Sequence, residues 1–196
     1  MSLSVPWHII YIHSLNWSPG FSGTNDSQYL LPTTITQHTL DHQRGTNARV
    51  LAYLLQPEND SYMLTAHEDG QPAKTLELLK MVVAQQPEIR VLLDVGAQIL
   101  DVSNRDLAQE WLNLTSTAGA IYFDDNDKLM ILTRNGTSQP LVSSSLAQQL
   151  DRCVIYLDDT HTRGTDLKLP RGFRAAVTLG PKVTKDRLVQ GMIVAL

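Results

Sequence analysis

From Arg90 onward the chain alternates between short continuous apolar runs and segments whose apolar residues recur at helical spacing. "IRVLLDVG", "CVIYLDD" and "RAAVTLG" are of the first kind, the pattern of strands buried on both faces. "GAIYFDDNDKLMILTRNG" reads as two strands around the turn "DDND". Helical spacing marks "NARVLAYLLQ" (Asn47 to Gln56), stopped by Pro57, and "AKTLELLKMVVAQQ" (Ala73 to Gln86), stopped by Pro87. In "SNRDLAQEWLNL", Ser103 and Asp106 stand at capping-box spacing, with Asp where Glu is preferred. "SSSLAQQL" predicts a helix with a serine cap, and "TKDRLVQGM" one capped by Thr184. The alternation predicts an α/β fold with a mostly parallel sheet. Its strands lie near Val91, Ile121, Val154 and Val177, covered by helices near Leu107, Leu146 and Leu188.

The first part of the chain is patterned differently. Gly20 to Gly45 is turn-rich and polar, which predicts loops with one short strand, so residues 1–45 read as an irregular segment and 46–196 as the α/β domain. The opening "MSLSVPWHIIYIHSLNWSPG" holds a short apolar run. His8 and His13 interrupt it, and it has neither a basic leader nor a small-residue cleavage site, so it reads as neither signal peptide nor membrane span. No other stretch approaches the roughly 20 apolar residues of a spanning helix, and no membrane partner is expected.

Composition adds limits. The 196 residues are 42% hydrophobic and 18% charged, which is enough apolar material for one core. A net charge of −4 gives no global basic field for nucleic acid or anionic lipid. The single cysteine, Cys153, excludes an internal disulfide framework and a cysteine zinc cluster, and it fits an intracellular setting, cytoplasmic or nuclear.

The chemistry-bearing stretch is "CVIYLDDTHTRGTDLKLP", Cys153 to Pro170. A strand that ends in Asp158 and Asp159, followed by Thr160 and His161, has the form of a DExH-type box, where a strand-end carboxylate holds Mg²⁺. Such a box needs a phosphate cradle, and no G-x-x-x-x-G-K-[ST] occurs in the 196 residues. The acidic pair therefore reads as a strand end, and no cofactor or metal is implied.

The second half of that stretch has company. "RGTD", the strand "AAVTLG", a proline and the helix "TKDRLVQG" resemble the motif V to motif VI region in the second RecA-like lobe of superfamily-two helicases. "RVLLDVGAQILDVSNRDLAQEWL" resembles the motif IV strand and helix, and "GFSGTND" resembles motif III. The resemblance implies a motif V-like loop at Thr162, Arg163, Gly164, Thr165 and Asp166, a motif III-like loop at Ser22, Gly23 and Thr24, and a motif VI-like Gln190. A longer resemblance covers "GFSGTNDSQYLLP", "VLAYLLQPENDSY", "PEIRVLLDVGAQIL" and "CVIYLDDTHTRGTDLKLPRGFRAAVTLGPKVTKDRLVQG". Together these are similar to the C-terminal part of very large fungal proteins, built from domains of unknown function and classed as ubiquitin-specific thiol hydrolases. That family continues after "VQG" with a cysteine and an arginine-rich helix, whereas this chain reads "MIVAL". The expectation is a RecA-like second lobe, incomplete at its C-terminus, in a fragment not catalytic by itself. Ubiquitin or a ubiquitinated protein is the implied partner. The alternative is a degenerate helicase-type lobe that acts as a scaffold or as a nucleic-acid- or protein-binding module.

A thiol hydrolase needs a thiolate, a nearby histidine and a group that orients the histidine. Cys153, His161 and Asp158 are the candidates, with Asp159 as an alternative orienter. Against them, an extended chain from Cys153 to His161 spans up to about 26 Å, which favours a buried, inert cysteine. Asp94 and His161, both at strand ends, form a second candidate pair. His8, His13, His38, His42 and His67 show no metal-ligand spacing, and Trp7, Trp17 and Trp111 read as packing residues. Arg163, Lys168, Arg171, Arg174, Lys182, Lys185 and Arg187 form the basic concentration; with no aromatic interleaving, they read as a solvated rim.

Overall fold

The structure, a computed structural model, describes residues 8–12, 62–64, 74–162, 172–180 and positions 165, 167, 169, 170, 183, 184, 187 and 188. The strands are β1 (His8–Ile12), β2 (Tyr62–Leu64), β3 (Ile89–Leu93), β4 (Gly119–Phe123), β5 (Leu129–Thr133), β6 (Ser138–Pro140), β7 (Cys153–Leu157) and β8 (Arg174–Leu179). The helices are α1 (Thr75–Val83) and α2 (Asn104–Leu114). The strands form one mixed sheet in the order β2-β1-β8-β3-β7-β4-β5-β6.

The four strands expected from the apolar runs are neighbours at the centre, β8-β3-β7-β4, and every pairing among them is parallel. Their burial explains their sequence. β7 is buried along its whole length, so both alternating side-chain sets must be apolar. Antiparallel ribbons flank this centre, β1 and β2 beyond β8, and β5 and β6 beyond β4. β1 comes from the segment expected to be irregular. Its "HIIYI" is about a quarter of the length of a spanning helix but a full strand, and Ile9 is buried.

Two cores lie on the two faces. On one, Leu78, Leu79 and Val82 of α1 and Leu107, Ala108, Trp111 and Leu112 of α2 pack on Ile89, Leu92, Val154, Tyr156 and Ala176. α2 begins as its sequence indicates: the Asp106 N–H donates to Ser103 Oγ at 3.1 Å, and Ser103 Oγ donates to the Asp106 carboxylate at 2.7 Å. At its other end the Arg134 guanidinium donates to the carbonyls of Leu112, Thr115 and Thr117, an external cap on its last turn.

The other face is covered without a long helix among the described residues. Val91, Leu93, Ile121, Ile155 and Val177 pack against Leu141 and Leu146, with Leu167, Leu169, Val183 and Leu188 alongside. Here the expected helix in "SSSLAQQL" is corrected to short 3-10 turns at Leu141–Ser143, Ser145–Gln148 and Leu150–Arg152. The Ser144 cap is real, accepting from the Leu146 N–H at 3.2 Å, but three serines and no long apolar face leave the turn nothing to propagate along. The helix expected over Asn47 to Gln56 lies outside the described residues.

Candidate functional site

β3 and β7 are adjacent and parallel, yet the chain leaves their carboxyl ends toward opposite faces. After β3 it passes into α2 on the first face; after β7 it passes Leu167 and Leu169, which pack in the second core. Such a reversal marks the position on the carboxyl edge at which open α/β sheets bind their ligands. The polar residues there come from β3, β7, β8, the β4–β5 turn and the start of α2.

Asp94, just past β3, is buried and fully bonded. Its Oδ1 accepts from the Gln98 N–H at 2.9 Å and from Thr178 Oγ1 at 2.5 Å, and its Oδ2 accepts from the Ile99 N–H at 3.0 Å. Burial pushes its carboxyl above the usual range, against the lowering effect of those hydrogen bonds. The loops that follow β3 and β8 meet backbone to backbone: a Cβ on Gly180 would lie 2.7 Å from the Gly96 carbonyl oxygen, so only glycine fits. The candidate pair of Asp94 with His161 is corrected. Asp94 turns inward to Thr178 and its own loop, and His161 finds other partners.

His161 Nδ1 lies 2.8 Å from Asp158 Oδ1 and its Nε2 lies 3.1 Å from Asp127 Oδ1. Its ring stacks on Phe123 with centroids 3.8 Å apart and planes within 3°. Asp158 is held in turn: Asn104, the first residue of α2, donates its side-chain amide to Asp158 Oδ2 and to the Phe123 carbonyl. Sequence spacing paired His161 with Asp158; Asp127, Asn104 and Phe123 were not singled out, since only the folded sheet brings their elements together.

Cys153 lies elsewhere. It opens β7 at the amino edge, while His161 follows the strand's other end, so the five residues of the strand, roughly 13 Å, separate them. The thiol is buried, its Sγ lies 3.8 Å from the Gln149 carbonyl, and burial pushes it up to about 11. Of the candidate catalytic set, Asp158 and His161 are together and Cys153 is not with them.

The motif V-like loop starts at this edge. Thr162 is buried and donates its hydroxyl to the Asp159 carbonyl at 3.0 Å, and Thr165 donates to the His161 carbonyl at 2.6 Å. Arg163, Gly164 and Asp166 lie outside the described residues, as do Ser22, Gly23, Thr24 and Gln190. The basic concentration is not uniformly a rim: Arg174 is buried and donates to the Pro87 carbonyl, and Arg187 pairs with Asp159. Arg163, Lys168, Arg171, Lys182 and Lys185 lie outside the described residues. Among the described residues no group of three His, Cys, Asp or Glu could hold a metal ion, and no helix is long and apolar enough to cross a membrane.

No protein-family model, no curated protein and no solved structure matches this chain.

Proposed function

We propose that this chain is a non-catalytic lobe of a large ubiquitin thiol hydrolase-like protein, RecA-like in type, and that it binds ubiquitin or a ubiquitinated protein through the carboxyl edge of its sheet. The position of Cys153 carries the non-catalytic part of this reading. A thiol buried at the amino edge is pushed away from its thiolate form and shielded from a substrate, and His161, the candidate to activate it, follows the other end of β7. The binding part rests on the sequence resemblance, which assigns a motif V-like loop to the residues after β7, and on the reversal of the chain between the parallel neighbours β3 and β7.

The test is a titration of the ¹⁵N-labelled chain with unlabelled ubiquitin. Saturable shifts at Asp127, His161, Thr162 and Thr165, with the amino-edge amides of Cys153 and Arg174 unmoved, are the expected result. No shift at millimolar ubiquitin contradicts the ubiquitin reading.

The second reading is a helicase-type lobe that binds single-stranded nucleic acid with the same loop. It is favoured by the order "TRGTD" then strand then "TKDRLVQG". Fluorescence anisotropy with a labelled single-stranded RNA distinguishes the two: binding that weakens steeply with salt supports this reading over the first.

A further inference from the structure

We infer that His161 is a proton-operated latch that ties the β4–β5 turn to the loop leaving β7. Asp158 Oδ1 already accepts the His161 backbone N–H at 3.1 Å, and as a carboxylate it has only lone pairs to offer Nδ1, so Nδ1 carries a proton. A neutral imidazole has one N–H, which Asp158 takes. Its bare Nε2 then faces Asp127 Oδ1 across 3.1 Å, acceptor against acceptor. Only the imidazolium, with two N–H donors, satisfies both contacts.

The bond to Asp127 is the one that joins separate elements. Asp158 is three residues from His161 in the same turn, whereas Asp127 sits in the β4–β5 turn at positive φ. Stacking on Phe123 fixes the ring plane, so the ring cannot swing to relieve the contact. Other charged groups on these elements engage neighbours away from the ring. Asp159 pairs with Arg187, and Asp124 Oδ1 accepts the N–H groups of Asn126 and Lys128 inside its own turn, where Asp125 and Lys128 also lie. Asn104, which reaches Asp158 from α2, is uncharged. Histidine as a residue type changes charge between about pH 5 and pH 8, which sets the two pH values compared below. Protonated, the latch holds the turn beside the loop through Thr165; deprotonated, it lets go of Asp127 while keeping Asp158. The latch concerns the edge proposed above for binding, but it requires no ligand, so its test stands apart from that reading.

The test uses the full ¹⁵N-labelled chain at pH 5.5 and pH 8.0. The ring nitrogens of His161 report its tautomer, and amide order parameters at Asn126, Asp127 and Lys128 report the turn. The expected result is an Nδ1–H neutral form and a loss of order in the turn at pH 8.0. Asp127→Asn keeps the turn ordered at both pH values, because the amide donates to a bare Nε2 and accepts from a protonated one. Asp127 is largely exposed, so this variant folds whatever the latch does. A neutral Nε2–H form, a wild-type turn equally ordered at both pH values, or the same loss of order in Asp127→Asn overturns the inference.

Discussion

Thr178 and Asp94 share a hydrogen bond of 2.5 Å between neighbouring parallel strands, from the hydroxyl in β8 to the carboxylate just past β3. The same hydroxyl accepts the Gly96 N–H at 3.1 Å, so one side chain satisfies both the buried acid and the loop that follows it. Removing it leaves the buried Asp94 carboxylate one donor short and the half-buried Gly96 N–H without its acceptor, and a polar group that loses its partner in the interior costs about 1–3 kcal/mol. Thr178→Val, which keeps the shape, is therefore expected to destabilise the chain by about 2–4 kcal/mol, read from urea unfolding midpoints. A change below about 0.5 kcal/mol contradicts the assignment.

Asp94 carries a pH signature. Its folded-state carboxyl is raised above the ordinary 3.8, chiefly by burial. The folded protein therefore binds this proton more readily than the unfolded chain. The resulting contribution is fully present below the unfolded value and is lost as pH rises through the folded one. Asp94→Asn has no such proton to bind. The stability of wild type relative to Asp94→Asn is expected to fall as pH rises from about 4 toward neutrality, measured by thermal unfolding of both across that range. A difference that grows with pH contradicts it.

Arg134 reaches from the β5–β6 turn to the carbonyls of Leu112 and Thr115 at the end of α2 and to that of Thr117 beyond it. These oxygens have no acceptable donor within the helix. Arg134→Ala is expected to cost about 1–2 kcal/mol, and hydrogen exchange is expected to accelerate at the last turn of α2 while the centre of β7 stays protected.

Much of the sheet's centre was legible because burial on both faces leaves continuous apolar runs, as at "CVIYL" and "AAV". The Ser103 cap of α2 was legible for a local reason: cap and partner are three residues apart. β1 was hidden because its histidine-flanked run is short, and its strand character depends on pairing with β8, distant in sequence. The site divides the same way. Asp158 with His161 is a local turn and could be found from spacing, whereas Asp127, Asn104 and Phe123 arrive on three other segments. Asp94 failed as a partner for His161 because strand-end position alone does not say which way a carboxylate turns; Thr178 on the next strand decides that.

The burial of Cys153 also sets its chemistry. With the thiol pushed up to about 11 and shielded in β7, iodoacetamide at pH 8 is expected to leave it unmodified in the folded chain and to alkylate it once urea unfolds the sheet. Cys153→Ala is expected to lower stability by on the order of 1 kcal/mol. Labelling of the folded chain at the rate of a free thiol contradicts this.

Incubation of the folded chain with a ubiquitin-based electrophilic probe, followed by intact-mass analysis, tests the non-catalytic reading most directly. The separation of Cys153 from the Asp158–His161 turn by the length of β7 means that no covalent adduct should form. An adduct on Cys153 that disappears in His161→Ala, with that variant still folded by circular dichroism, would show that the nucleophile lies in this chain and that the sheet does not keep the two apart.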